Sequence, residues 1–219
     1  MKENKKRVEA ITLSAIMIAF AISISAICAV LPFLNLPFGG GFTIASMLPI
    51  ILIAYMYGTK WGILTAFVYS MLQMLLGFNT VSAFFLPGDS QMMWWKAVLV
   101  LLIDYVIAYT VLGLGGVFRK KFSIRKALVL GTILVITLRY IAHIISGAIF
   151  FGAWAEWFFT QEGFYSWGVK ILDVFSGNTL ALVYSVIYNG TYMIPEIIIT
   201  AIAAALIVRI PQIKMRDEV

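Results

Sequence analysis

Apolar residues come in long unbroken runs along this chain, without the strict alternation that marks the strands of a membrane barrel. The runs fall at about 8–32, 42–57, 61–76, 96–118, 126–152 and 179–208. Most approach or exceed roughly 18 residues, the length at which a helix crosses a hydrocarbon core of about 30 Å. The pattern predicts an all-α integral membrane bundle of six transmembrane helices in a single domain over 1–219. The second and third runs are short and separated only by Gly58, Thr59 and Lys60, a tight turn that makes them an antiparallel hairpin.

Composition moves the reading firmly away from water. Of 219 residues, 62% are apolar and 12% charged, whereas a soluble domain has about a quarter of its residues charged. The first run follows MKENKKR and resembles a signal peptide, but it is too long for the apolar region of one. Ile27, before Cys28, is not the small residue a lipoprotein site needs. We therefore expect a retained helix. A lone cysteine makes no intrachain disulfide, and no Cys/His cluster has metal-site spacing.

Charge gives orientation. With the N-terminus inside, Lys2, Lys5, Lys6, Arg7, Lys60, Arg119, Lys120, Lys121, Arg125, Lys126, Arg209, Lys214 and Arg216 are cytoplasmic, thirteen of the sixteen Lys and Arg. Both termini are expected in the cytoplasm, and the net charge of +6 needs no nucleic acid to explain it. On the outside, 153–178 carries Trp154, Trp157, Phe158, Phe159, Phe164, Tyr165 and Trp167. These are headgroup anchors or a lid over a ligand. Gly39, Gly40 and Gly41 in the first outer loop are a hinge or a plain turn.

An ionisable group near the bilayer centre costs about 2.5–3.5 kcal/mol on insertion scales, so each demands a partner or a task. There are four: Asp104, Arg139, His143 and Glu196. Asp104 lies about eight residues, or roughly 12 Å, into the fourth helix from outside. On the fifth, Arg139, His143, Gly147, Phe150 or Phe151 and Trp154 climb one face at helical spacing. The sixth brings Tyr184 and Asn189 to similar depth, with Pro195 and Glu196 near its centre. An Asp104–Arg139 ion pair with no ligand is one reading. An outward pocket for a small, flat, polar molecule is the other, with aromatic walls suited to a cationic ring.

No phosphate-binding loop is present, so any ATP coupling belongs to partners. Neither H-E-x-x-H nor G-x-S-x-G occurs, and the chain is not expected to be an enzyme.

The run Arg139-Tyr140-Ile141-Ala142-His143-Ile144-Ile145-Ser146-Gly147 resembles the fifth-helix signature of thiamin-specific S-components, the substrate-binding subunits of energy-coupling-factor (ECF) importers. Tyr184-Ser185, Asn189-Gly190, Tyr192 and Pro195-Glu196 resemble the sixth-helix signature, and Asp104-Tyr105 the acid–Tyr pair of the fourth. Ala15-x-x-x-Ala19 resembles the first-helix motif that contacts the shared coupling subunit. The resemblance implies thiamin as ligand, no cofactor, and a transmembrane coupling subunit and two ATPases as partners in the cell membrane. By position, Asp104 would neutralise the aminopyrimidine, with Tyr105 beside it, and His143 and Asn189 would hydrogen-bond the ligand. Tyr184 and Phe151 would wall the rings, and Gly147 would leave room. Arg139 would lie near the hydroxyethyl or phosphate end. Asp104 stands where some members have Glu, and Phe151 where some carry Trp; Trp154, one turn on, would compensate. An S-component for another vitamin, or a self-sufficient transporter relaying protons through Asp104, His143 and Glu196, are the alternatives.

Overall fold

The computed structural model describes residues 2–36, 40–216 and 218. Among them there is no strand, only one isolated bridge between Asn35 and Gly41. Helix α1 spans Lys2–Ala29, α2 Leu48–Tyr57, α3 Thr59–Leu76 and the short α4 Phe78–Ala83. Then come α5 over Trp94–Gly116, α6 Ile124–Phe150, the short α7 Ala155–Phe159 and α8 Tyr165–Val174, and finally α9 Gly177–Ile207. Four of these, α1, α5, α6 and α9, are long and apolar enough to cross a membrane.

The helix limits differ from the apolar runs for physical reasons. The Lys-rich turn before Val8 continues α1 outward, because Lys and Glu are good helix formers. The run at 42–57 becomes helical only at Leu48, with Pro49 in the first turn where its missing N–H costs nothing. Residues 42–47, apolar apart from Thr43 and Ser46, are irregular. At ten residues, about 15 Å, α2 is too short to span a bilayer alone, and every one of its side chains is buried inside the bundle. The turn into α3 is a single residue, Gly58, at φ +96°, which side chains rarely adopt.

The exterior of the bundle is apolar, unlike that of a water-soluble fold, and several polar groups lie inside. Ile194, Ile198, Ile202 and Leu206 form an exposed stripe along α9, and Ile141, Ile145 and Ile149 do so on α6. Ser70, Gln73, Arg139, Asn189, Glu196 and Thr200 are buried. Buried polar groups tie helices together: the Gln73 amide donates to Ser25 Oγ at 2.8 Å, and Trp61 Nε1 donates to Ser14 Oγ at 2.9 Å, joining α3 to α1. The α6–α9 pair forms the most extensive helix contact.

Both ends of the described chain meet at one end of the bundle. Arg216 pairs with Glu9 of α1 and donates to the Tyr57 hydroxyl, while its N–H reaches the Met56 carbonyl at 2.8 Å. Arg119 donates to the carbonyls of Met56 and Arg216. At the opposite end lie α4, α7 and α8.

Candidate ligand-binding site

Opposite the termini, α4, α5, α6 and α9 open around a cavity of about 1100 Å³. Asp104, Tyr105, Arg139, His143, Gly147, Phe151, Trp154, Tyr184 and Asn189 all line it, so the residues singled out by sequence converge.

Local irregularity in α5 places two of them. Over Leu102–Ile107 the helix widens to a π-helix, then passes through one α turn, Ala108–Thr110, into a 3-10 stretch, Val111–Gly116. Residues five apart lie about 140° apart around an α-helix. The wider turns bring Asp104 and Tyr109 to the same cavity.

The Asp104–Arg139 ion pair is not formed. Asp104 instead accepts from Ser146 Oγ at 2.7 Å and bonds His143 Nδ1 at 2.8 Å. The reason is depth: His143 sits one turn, about 6 Å, beyond Arg139, and the short Asp side chain meets the nearer group. Arg139 donates to the Tyr109 hydroxyl at 3.0 Å, with its guanidinium carbon 4.4 Å from that ring's centre and Nη1 3.2 Å from Met47 Sδ. Its Nε and His143 Nε2 are buried without a partner among the described residues.

Asn189 serves the helix interface. Its amide donates to Ser185 O at 2.8 Å and to His143 O at 3.3 Å, and its carbonyl accepts from the Tyr192 hydroxyl. To donate to a ligand the amide must exchange one of these, whereas its oxygen has a second lone pair to offer. Gly147 is required by close approach: a Cβ there would lie 2.2 Å from Ser185 Oγ.

Aromatic rings form the walls. Tyr184 stacks on Tyr188, with centroids 5.6 Å apart, and Phe151 tilts against Phe84 at 6.0 Å. Trp154 meets Trp157 edge-on at the cavity rim. Part of the 153–178 segment, read from sequence as headgroup anchors or a lid, is packed inward. Phe158 and Phe159 of α7 are fully enclosed, and Phe158 packs on Tyr184 and Tyr188, so the segment is a small apolar cap. The side chain of Tyr165 lies outside the described residues, as does Gly39; Gly40 and Gly41 border the cavity.

Glu196 is bonded to none of the other three ionisable groups, although it is close enough to Arg139 for the two charges to attract. Only 1% exposed, it accepts from the Thr43 N–H at 2.5 Å and from the hydroxyls of Thr43 and Thr200. It pins the irregular 42–47 stretch to α9 and is not bonded to Asp104 or His143.

Sequence reading missed Tyr109, Tyr188 and Ser146. Tyr184, Tyr188 and Tyr192 recur every four residues, and Tyr105 and Tyr109 share that spacing, so a periodicity scan for aromatics finds these walls. Nothing in the sequence signals that Ser146 meets Asp104, because that contact depends on the register between two helices.

A bundle with an apolar exterior and a polar, aromatic-walled cavity is a membrane protein organised around a small-molecule site. Residues 12–168 match the family model described as thiamine transporter protein, and the chain belongs to that family. It is 32% identical to the thiamine transporter ThiT of Bacillus subtilis (strain 168), across 94% of this chain and 93% of that protein. Its fold is similar to that of ThiT from Listeria monocytogenes, with a TM-score of 0.64 over 96% of this chain and 100% of that one, at 22% identity. The chain is a multi-pass protein of the cell membrane, and its relatives are transporters.

Proposed function

We propose that this chain is the thiamin-binding S-component of an ATP-driven ECF importer. It captures thiamin at the outer face and delivers it together with a transmembrane coupling subunit and two ATPases. The observation that carries the reading is the cavity itself. A cation-tolerant aromatic wall of Tyr184, Tyr188 and Tyr105 faces a polar floor with two nitrogens, on Arg139 and His143, that have no partner among the described residues. Thiamin has matching parts: a thiazolium for the aromatic faces, an aminopyrimidine for the polar side chains, and a hydroxyethyl arm for Arg139.

In this reading the single domain crosses the bilayer six times, with α2 and α3 completing the bundle and both termini cytoplasmic. Asp104, Tyr105, Arg139, His143, Gly147, Phe151, Trp154, Tyr184 and Asn189 form the thiamin site. Ala15 and Ala19 are exposed on the outside of α1, where two small residues four apart let a coupling-subunit helix approach closely.

The test is reconstitution. Vesicles with this chain alone should bind thiamin without accumulating it, and adding the coupling subunit, both ATPases and ATP should start uptake. Accumulation by the chain alone under a pH gradient would replace this reading with a proton-coupled one.

A further inference from the structure

Asp104, His143 and Ser146 form a closed group within the cavity wall. Asp104 uses one carboxylate oxygen for His143 Nδ1 at 2.8 Å and the other for Ser146 Oγ at 2.7 Å. Ser146 is buried at the α5–α6 contact and does not line the cavity. With Asp104 acting as the acceptor of both bonds, the hydrogen in the His143 bond belongs to Nδ1. A neutral imidazole carries one N–H, and its other nitrogen is then an acceptor. That nitrogen, Nε2, is buried without a partner among the described residues, on a side chain that lines the cavity. A buried acceptor left unpaired is costly, so a ligand that meets it has to supply a hydrogen.

We propose that Asp104 and Ser146 are positioning residues that hold His143 as the Nδ1–H tautomer, so that Nε2 selects ligands by an N–H donor, the exocyclic amine of an aminopyrimidine. The inference rests on the thiamin reading for the identity of that amine. It changes the part assigned to Asp104, which acts through the imidazole ring and not as a counter-charge for the ligand.

The chain contains a single histidine, so 15N-histidine labelling reports His143 alone. In the ligand-free wild type, NMR should find the proton on Nδ1 and a bare Nε2. A proton on Nε2, alone or beside one on Nδ1, overturns the proposal. The isosteric Asp104→Asn variant supplies the second arm. With Ser146 still donating to the amide oxygen, the amide NH2 turns to Nδ1 and the ring proton moves to Nε2. The ligand readout is thiamin against oxythiamin, whose pyrimidine carries an oxo group in place of the amine. Wild type should favour thiamin by roughly 10- to 100-fold, and Asp104→Asn should shrink that ratio by about 10-fold or more. A variant in which the ring proton stays on Nδ1, or in which both ligands weaken equally, contradicts the proposal. The NMR arm needs no ligand, so wild type with the Nδ1 proton but no thiamin binding would retain the tautomer lock and remove the thiamin reading instead.

Discussion

At the end of the bundle that gathers the termini, Arg119 is 7% exposed; at the floor of the cavity, Arg139 is 8% exposed. Burial does not separate them, but their partners do. Arg119 holds two backbone carbonyls, from Met56 and Arg216, and an ion pair with Glu218 at 3.4 Å. Arg139 holds one hydroxyl, a thioether and the face of Tyr109. The first guanidinium closes a tail over a turn. The second is a cation kept in an apolar medium with no carboxylate bonded to it among the described residues, an arrangement a ligand completes. The lesson is that buried charge marks function by what it lacks.

The sharpest way to break the comparison is to remove both charges. Arg119→Met should strand the Arg216 carbonyl at about 1–3 kcal/mol and take one of two donors from the Met56 carbonyl, which keeps the Arg216 N–H, lowering the thermal midpoint while the folded fraction keeps its thiamin affinity. Arg139→Met should do the reverse, with little change in stability and at least about 10-fold weaker binding of thiamin monophosphate relative to thiamin. Calorimetry on both variants measures the two effects together. Equal behaviour of the pair would remove the distinction.

Gly147→Ala comes next. Its methyl group meets Ser185 Oγ and lies 3.1 Å from Asn189 Nδ2, so overpacking of about 1–3 kcal/mol is expected. Both the thermal midpoint and thiamin affinity should fall. Replacing Tyr188 by Leu keeps apolar volume and removes a ring from the stack with Tyr184, which should weaken thiamin by roughly 3- to 30-fold in titration. Trp154→Phe, at the rim, should change affinity by less than about 3-fold while removing part of the fluorescence response.

The two ends also differ in how far sequence reveals them. Long helices are visible because lipid demands continuous apolar runs, and α6 begins and ends within two residues of its run. The Arg139–His143–Gly147 ladder is legible for the same kind of reason, since its spacing is set within one helix. Pairings between helices are not. Asp104 goes to His143 and Ser146 and not to Arg139, and Glu196 goes to Thr43, 153 positions away. The π turns of α5 leave no periodic trace, and 42–47 looks like helix because Phe42, Ile44, Ala45 and Met47 extend the apolar run that follows. Arg119 reads as a loop cation at the membrane surface and is instead enclosed by the returning C-terminal segment.

The most direct measurement is a titration of the purified chain with thiamin, followed by tryptophan fluorescence, with riboflavin as the control. Trp154 and Trp157 border the cavity. The account predicts saturable quenching by thiamin at a stoichiometry of about one ligand per chain, and none by riboflavin, because a pocket shaped by a few placed polar groups discriminates between ring systems. No response to thiamin, or an equal response to both vitamins, would contradict it.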